Sequence, residues 1–245
     1  MFAGCKHRPY LLEKHRRARE LRSAGRPMKQ IARELGVSPG TVHRWTCDIE
    51  LTNVQRSAIE QEWRRVVAAR VEAWSAHCRD KRRAYQEEGR ARARRGDALH
   101  QAGCMLYWAE GAKDRNSLTF ANSDVHMIRF FTTFLRESLG VPDSQLTLRL
   151  NVYTNNGLTV EQIEGFWLDL LGLPKTCLRA HSINHFPTSS SGRRRNKLPH
   201  GVCTLRIHST KLVQHVFGAI QEYAGCEEPE WLDCGPARAA GPAAA

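Results

Sequence analysis

The stretch from residue 25 to residue 45 constrains the fold more than any other part of the chain. It carries an apolar stripe at helical spacing, made up of Ile31, Ala32 and Leu35. Gly36 follows the stripe, where a glycine can adopt the left-handed conformation that ends a helix. Ser38 can then cap a second helix, because its hydroxyl can accept a hydrogen bond from a free backbone amide. The pattern predicts two short helices joined by a tight turn.

A third helix, upstream of these two, completes a small core. The second helix of the pair has Pro39 at its first position and turns Val42 and Trp45 back towards the first helix. The upstream helix, from about Tyr10 to Ala24, offers apolar side chains to the same core, namely Leu11, Ala18 and Leu21. Residues 1–52 are therefore predicted to form a domain of three helices.

The spacing of this segment is that of a known DNA-binding motif. The residues that carry the pattern are Ile31, Ala32, Leu35, Gly36, Val37, Ser38, Thr41, Val42 and Trp45. With these residues the segment resembles the helix-turn-helix of DNA resolvases and invertases and of many bacterial regulators. The resemblance extends over about forty residues, and nothing in the chain looks like a serine recombinase catalytic domain.

This resemblance implies double-stranded DNA as the partner, because the second helix of such a motif enters the major groove and meets base edges. The residues expected to face DNA from this helix and its cap are Ser38, Gly40, Thr41, His43 and Arg44. On the first helix of the pair, Lys29 and Arg33 are expected to bind phosphates. The alternative is that the three helices pack against another protein.

The net charge of +12 is concentrated in the first part of the chain. Residues 1–100 contain 23 Lys and Arg against 12 Asp and Glu, whereas residues 101–245 contain 14 against 13. A basic amino-terminal part of this kind favours a polyanion as partner. For the same reason, a module that binds no DNA is disfavoured.

A long polar helix is predicted from Val54 to about Arg95, within a basic connector that spans residues 53–97. The apolar residues of its first half recur at threes and fours, namely Ile59, Trp63, Val66, Val67, Val71 and Trp74. The second half is rich in arginine, so we expect the first half to pack and the second half to be solvated. The helix can act as a spacer, as a rod that follows phosphates, or as a plain charged surface helix.

Residues 98–225 mix helices with strands, which makes the whole chain α+β. The strand from Gln145 to Tyr153 alternates apolar and polar residues, which indicates a mostly antiparallel sheet with one buried face. Ser123 is expected to cap one helix, and Thr159 with Gln162 to form a capping box on the next. Further helices are expected at about 99–110, 124–139 and 210–223, and further strands at about 117–122, 178–186 and 202–208. A flexible basic loop is expected over residues 188–201 and a disordered tail over residues 226–245.

The first helix of this second domain carries another resemblance. Its informative residues are Leu106, Ala109, Glu110 and Gly111. Together with the order of strands and helices over residues 99–225, they resemble the signature helix of the LAGLIDADG homing-endonuclease fold. Met105 departs from that family, which has a glycine there so that two such helices can approach closely.

The LAGLIDADG resemblance implies a homodimer in which each chain supplies one Glu110 to a shared Mg²⁺ beside the scissile phosphate. It also implies that the polar face of the sheet lies on DNA. That face would present Thr119, Arg149, Asn151, Tyr153, Thr204, Arg206 and His208. The basic loop would add Arg193, Arg194 and Arg195. The alternatives are a solvated sheet face and a Glu110 that only closes its helix or pairs with Lys113.

Two functions therefore remain open. The first is a sequence-specific DNA-binding protein, a transcriptional regulator whose second domain does not cut DNA. The second is a Mg²⁺-dependent endonuclease, in which Glu110 binds the metal and Lys113 or Lys197 assists at the phosphate. The low net charge of residues 101–245 favours the first. The regulator needs no cofactor, and the endonuclease needs only Mg²⁺.

The chain has no apolar run of about 18 residues and no secretory signal at its start, which favours a cytoplasmic, nucleoid-associated protein. Its eight cysteines include no Cys-x-x-Cys pair, so neither a zinc ribbon nor a disulfide framework is predicted. One group of cysteines and histidines is close in sequence, namely Cys177, His181, His185, His200 and Cys203. On a strand, residues four apart lie about 13 Å apart, which is too far to share a zinc ion.

Overall fold

The computed structural model describes residues 8–154, 157–184 and 198–234. Its α-helices are α1 (Arg8–Ser23), α2 (Met28–Leu35), α3 (Pro39–Thr46), α4 (Asn53–Ala93), α5 (Ala98–Glu110), α6 (Val125–Thr133), α7 (Val160–Leu171) and α8 (Thr210–Ala224). Its strands are β1 (Leu118–Asn122), β2 (Thr147–Tyr153), β3 (Ser182–Asn184) and β4 (Val202–Ile207). The chain divides into an amino-terminal unit, Met1–Ala76, and a carboxy-terminal unit, His77–Ala245. The α+β class is confirmed.

The amino-terminal unit has a small core between α1, α2 and α3. Its buried residues are Ala18, Leu21, Ile31, Ala32 and Val42. Leu11, which the sequence assigned to this core, is instead 47% exposed. It lies seven residues before Ala18, about 10 Å along the helix axis, and the two partner helices are only eight residues long. The core is therefore shorter than the helix that the sequence predicted to cover it.

An ion pair joins α1 to the chain just after α3. Arg19 donates to both carboxylate oxygens of Asp48, at 2.7 and 2.6 Å, and also to the carbonyl oxygen of Trp45 at 2.8 Å. The hydrogen bonds from Arg19 lower the pKa of Asp48 to about 2. Because both side chains are solvated, the pair contributes little to the free energy of unfolding. We infer that it sets the position of α3 against α1.

The long helix α4 forms where the sequence predicted it, but its two halves have the reverse of the expected environments. The apolar residues of the first half are largely exposed, whereas the buried residues lie in the second half, at Arg82, Gln86, Gly89 and Ala93. Distant carboxylates allow the arginines of the second half to pack. Arg82 donates to Asp233 at 2.8 Å and Arg90 to Glu227 at 2.7 Å. The pattern of charges along α4 could not reveal these partners.

Two glycines bring the second half of α4 against α8. A Cβ on Gly89 would lie 1.9 Å from the carbonyl oxygen of His215, and a Cβ on Gly218 would lie 1.9 Å from that of Gln86. Beside this contact, the side-chain amide of Gln86 donates to Gln214 at 2.7 Å, with both groups buried. The second half of α4 therefore belongs to the packed carboxy-terminal unit.

The four described strands form one sheet in the order β1, β4, β2, β3. The β1/β4 and β4/β2 pairs are antiparallel and the β2/β3 pair is parallel, so the mostly antiparallel sheet predicted from the sequence is confirmed. In register, Thr147 pairs with Arg206 and Asn151 with Ser182. As the alternation along β2 predicts, its apolar residues are buried on one face, namely Leu148, Leu150 and Val152.

Helix ends and the end of the described chain show further agreement and two differences. The capping box of Thr159 and Gln162 on α7 is confirmed, but α6 is capped by Asp124, one residue after the predicted Ser123. Residues 226–234, predicted to begin a disordered tail, contain a 3₁₀ helix, Pro229–Leu232. Trp231 is buried there, with its ring centre 4.8 Å from that of Phe217. This aromatic contact stabilises a segment whose composition alone predicted disorder. The rest of the predicted tail lies outside the described residues.

A buried polar cluster lies between α5 and α8. The His100 ring, which is fully buried, has Nδ1 2.8 Å from the hydroxyl of Tyr223 and Nε2 3.1 Å from Nε2 of His215. The thiol of Cys104 lies 3.8 Å from the same ring. Burial, with the neighbouring His215, lowers the pKa of His100 to about 4. The cluster is therefore held together by neutral groups.

Candidate nucleic-acid interface

The turn between α2 and α3 is built by Gly36 and Ser38. Gly36 has a φ of 61° and a ψ of 43°, the left-handed conformation expected from the sequence, and it reverses the chain directly after α2. The amide of Val37 then donates to the carbonyl of Ala32 at 3.0 Å. Ser38 caps α3, because its hydroxyl accepts from the amide of Thr41 at 3.1 Å. The start of α3 is thereby fixed relative to α2.

The outer face of α3 is polar and open to solvent. Gly40, His43 and Arg44 are exposed, as is the cap residue Ser38, while Thr41 is half-buried with its hydroxyl 2.9 Å from that of Ser38. Among the described residues, neither the His43 ring nor the Arg44 guanidinium has a hydrogen-bond or ion-pair partner. These side chains are therefore available to a ligand that approaches α3.

A comparison with known protein families agrees with this geometry. Residues 8–47 match the helix-turn-helix domain of resolvase. The match begins with α1 and ends one residue after α3, so it covers all three helices. The helix-turn-helix predicted from the sequence is confirmed, and the match supports DNA binding.

The helix-turn-helix is a small part of the chain. No curated protein and no solved structure matches the chain. The comparisons therefore give no support to the LAGLIDADG resemblance of residues 99–225.

The two cations expected to bind phosphates lie on α2 of the helix-turn-helix. Lys29 and Arg33 are both exposed. The Lys29 ammonium lies 5.6 Å from the centre of the Trp63 ring on α4, an attractive contact that leaves its charge accessible. In contrast, Arg17 on α1 lies 3.2 Å from Glu20, so part of the charge of α1 is neutralised within the unit. The open cations of α2 are better placed for phosphates.

A second basic surface lies on the sheet of the carboxy-terminal unit. The polar face of β2 and β4 forms the floor of a groove of about 870 Å³. The groove has three arginines, one histidine and no carboxylate among its ten lining residues, which are Thr147, Arg149, Leu150, Asn151, Arg179, Ala180, Ser182, Thr204, Arg206 and His208. Its composition suits an anion with several negative charges.

The residues that line the groove differ in part from the polar face that the sequence predicted. Thr119 and Tyr153, which were expected on the open face, are buried. Thr119 lies beneath Arg206, whose Nε donates to its hydroxyl at 3.0 Å. Arg179 and Ser182 line the groove but were missed. Ser182 pairs with Asn151 of β2 in parallel register, and the amide of Arg179 donates to the carbonyl of Leu148 at 2.9 Å. The other predicted residues line the groove as expected, namely Arg149, Asn151, Thr204, Arg206 and His208.

Of the predicted catalytic residues, the structure describes Glu110 and Lys113. Glu110 is exposed at the last position of α5. Lys113 is not free to assist at a phosphate, since its ammonium donates to three carbonyls at the end of α5, those of Tyr107, Trp108 and Gly111, at 3.2, 2.8 and 2.8 Å. Burial lowers the pKa of Lys113. Lys113 therefore stabilises the end of the helix, where carbonyl groups concentrate negative charge.

Within the described part of the chain, no group of three or more His, Cys, Asp or Glu side chains could hold a metal ion. His181 accepts a hydrogen bond from the Leu150 amide at 3.1 Å and lies 2.8 Å from Glu164. His200 stacks on Phe166, with ring centres 3.6 Å apart. Both rings therefore have structural roles in this unit.

Several predicted residues lie outside the described ranges. They are His185, Arg193, Arg194, Arg195 and Lys197. No described helix is long and apolar enough to cross a lipid bilayer.

Proposed function

We propose that the protein binds a specific sequence in double-stranded DNA through its helix-turn-helix and acts as a transcriptional regulator in the cytoplasm, at the nucleoid. The observation that carries the proposal is the face of α3, where Arg44 and His43 are exposed on a helix whose position is fixed by the Gly36 turn and the Ser38 cap. A rigid helix with free polar side chains can read base edges in the major groove.

Arg44 and Arg33 are expected to have different roles on DNA. Replacing Arg44 by alanine should weaken binding to the preferred sequence by about 1–3 kcal/mol and relax the preference at one base pair, because a contact to base edges is lost. Replacing Arg33 by alanine should weaken binding to all sequences alike and reduce the dependence of affinity on salt, because a phosphate contact is lost. Fluorescence anisotropy with the preferred and a scrambled duplex, at several salt concentrations, measures both effects.

The exposed Glu34, next to Arg33, provides the control: its replacement by glutamine should not weaken binding to either duplex. Equal losses on both duplexes from the two arginine variants would contradict the division between base and phosphate contacts. Retention of full affinity by both variants would exclude α2 and α3 as the DNA-binding surface.

We further propose that the groove on the sheet is a second contact for DNA. Its arginines line an open surface without any carboxylate, which suits a phosphate backbone. The double replacement of Arg149 and Arg206 by alanine should reduce the slope of log affinity against log salt by about two, one for each lost phosphate contact. An unchanged slope would show that the groove does not touch the DNA bound by α3.

The alternative function, a Mg²⁺-dependent endonuclease, has one observation in its favour, the exposed carboxylate of Glu110 at the end of α5. The outer face of α5 also exposes the small residues Ala102 and Ala109, against which a second α5 could pack in a homodimer. Such a pair would bring two Glu110 carboxylates to one Mg²⁺. Lys113 would take no part, because it caps its own helix.

Incubation of the protein with supercoiled plasmid and Mg²⁺ separates the two functions. Under the preferred function, the plasmid is bound and stays intact. Cleavage that is lost in the variant Glu110→Gln would establish the endonuclease and overturn the non-catalytic role of the carboxy-terminal unit.

A further inference from the structure

The first half of α4 exposes large aromatic and aliphatic side chains. Trp63 and Trp74 are 55% and 67% exposed, and Val67 and Val71 beside them are also open to solvent. The two tryptophans are eleven residues apart, so they lie nearly in line on the helix, three turns and about 16 Å from one another. A row of large exposed apolar side chains is typical of a binding surface.

Cations alternate with these aromatic rings along one line of the helix. Arg56, Trp63 and Arg70 follow one another at intervals of seven residues, close to two full turns, so all three lie on the same face. The Arg70 guanidinium has no hydrogen-bond or ion-pair partner among the described residues. Arg56 donates through its Nε to the carbonyl of Leu51 at 3.1 Å, and its side chain is exposed. The face is therefore both aromatic and positively charged.

The same face continues from the helix-turn-helix. The Lys29 ammonium of α2, expected to bind a phosphate, lies 5.6 Å from the centre of the Trp63 ring. A polyanion that passes α2 therefore meets Trp63 next and then Arg70. All of these residues belong to the amino-terminal unit.

The charge of this face decides between two occupants. A second copy of α4 packed on it would bring Arg56 and Arg70 against the same two cations. The carboxylate that shares this face, Glu60, already lies 2.6 Å from Arg64 of its own helix. Single-stranded DNA uses both components, because its bases stack on aromatic rings while its phosphates pair with cations.

We infer that the α4 face formed by Arg56, Trp63, Arg70 and Trp74 is a binding site for single-stranded DNA. The site is separate from α3, so duplex recognition does not depend on it. A protein with both surfaces can hold a duplex through α3 and an unpaired strand next to it through α4.

Titration of the full chain into a fluorescein-labelled oligothymidylate tests the inference, with anisotropy as the readout. Replacing Trp74 by alanine should weaken binding roughly tenfold, the loss of one stacked base, while Trp74→Phe should keep most of the affinity. Binding should also quench tryptophan fluorescence, and less so in the Trp74→Ala variant. The matched control is Trp108→Ala on α5, since Trp108 is also exposed and should not affect the affinity.

The variant Arg44→Ala separates this site from the helix-turn-helix, because it should weaken duplex binding and leave oligothymidylate binding unchanged. An oligothymidylate affinity that is the same in Trp74→Ala and in the unaltered chain would overturn the inference. A dimer of twice 27.8 kDa in sedimentation that Trp74→Ala dissociates, with strand binding unaffected, would instead identify a second copy as the occupant.

Discussion

Replacing Ile31 by alanine is expected to unfold the helix-turn-helix and abolish binding to duplex DNA. Ile31 is fully buried in a core of only five buried residues, and truncation of a buried isoleucine costs about 2–5 kcal/mol. The free energy of unfolding of a three-helix unit of this size is small, because little apolar surface is buried. Circular dichroism during heating, together with duplex anisotropy at the same temperatures, measures both effects.

The exposed residue Leu12 on α1 supplies the matched control, because Leu12→Ala removes a similar side chain that lies outside the core. It should leave the melting of the unit and the duplex affinity unchanged. An Ile31→Ala protein that binds the preferred duplex as tightly as the unaltered chain would contradict the dependence of α3 on this core.

Acidification from pH 6.5 to pH 4 is expected to lower the free energy of unfolding of the carboxy-terminal unit by about 2–3 kcal/mol. The cause is His100, whose pKa is lowered from 6.5 to about 4 by burial and by the neighbouring His215. Arg92 also lowers this pKa, whereas Asp97 raises it. Between the two values an unfolded chain binds a proton at His100 that the folded chain does not, so stability falls as the pH falls.

The pKa of His215 is lowered by burial as well, so His215 adds to the same trend. Urea unfolding at a series of pH values measures the slope, and the variant His100→Gln should flatten it. NMR titration of the His100 ring checks the pKa directly in the folded protein. A ring that titrates near 6.5 would contradict the neutral, buried arrangement with Tyr223 and His215.

Local sequence signals predicted the amino-terminal unit well. The left-handed Gly36, the cap at Ser38 and the core positions Ile31 and Val42 all depend on neighbours within a few residues, so their pattern is visible in the chain. The exposed face of α3 follows from the same periodicity. The assignment of Leu11 to the core was wrong, because periodicity shows which face of a helix is apolar but not how far the neighbouring helices extend along it.

Contacts between distant segments account for what the sequence did not reveal. The second half of α4 is buried for two reasons. Gly218 on α8 has no side chain, so the backbone of α4 can approach it closely, and Asp233 pairs with Arg82, more than 100 residues away. In the groove, Arg179 is held by the backbone hydrogen bond from its amide to Leu148, which lies 31 residues earlier in the chain and gives no local signal. The hydrogen bonds of Lys113 to three carbonyls are local, but they depend on where α5 ends and not on the charge of Lys113.

Selection of preferred duplexes from a random pool, followed by affinity measurement at physiological salt, tests sequence-specific DNA binding most directly. A common sequence should be enriched and bound at least about a thousandfold more tightly than a scrambled duplex, with the preference reduced by Arg44→Ala. Equal affinity for selected and scrambled duplexes, or no retained DNA at all, would contradict sequence-specific binding.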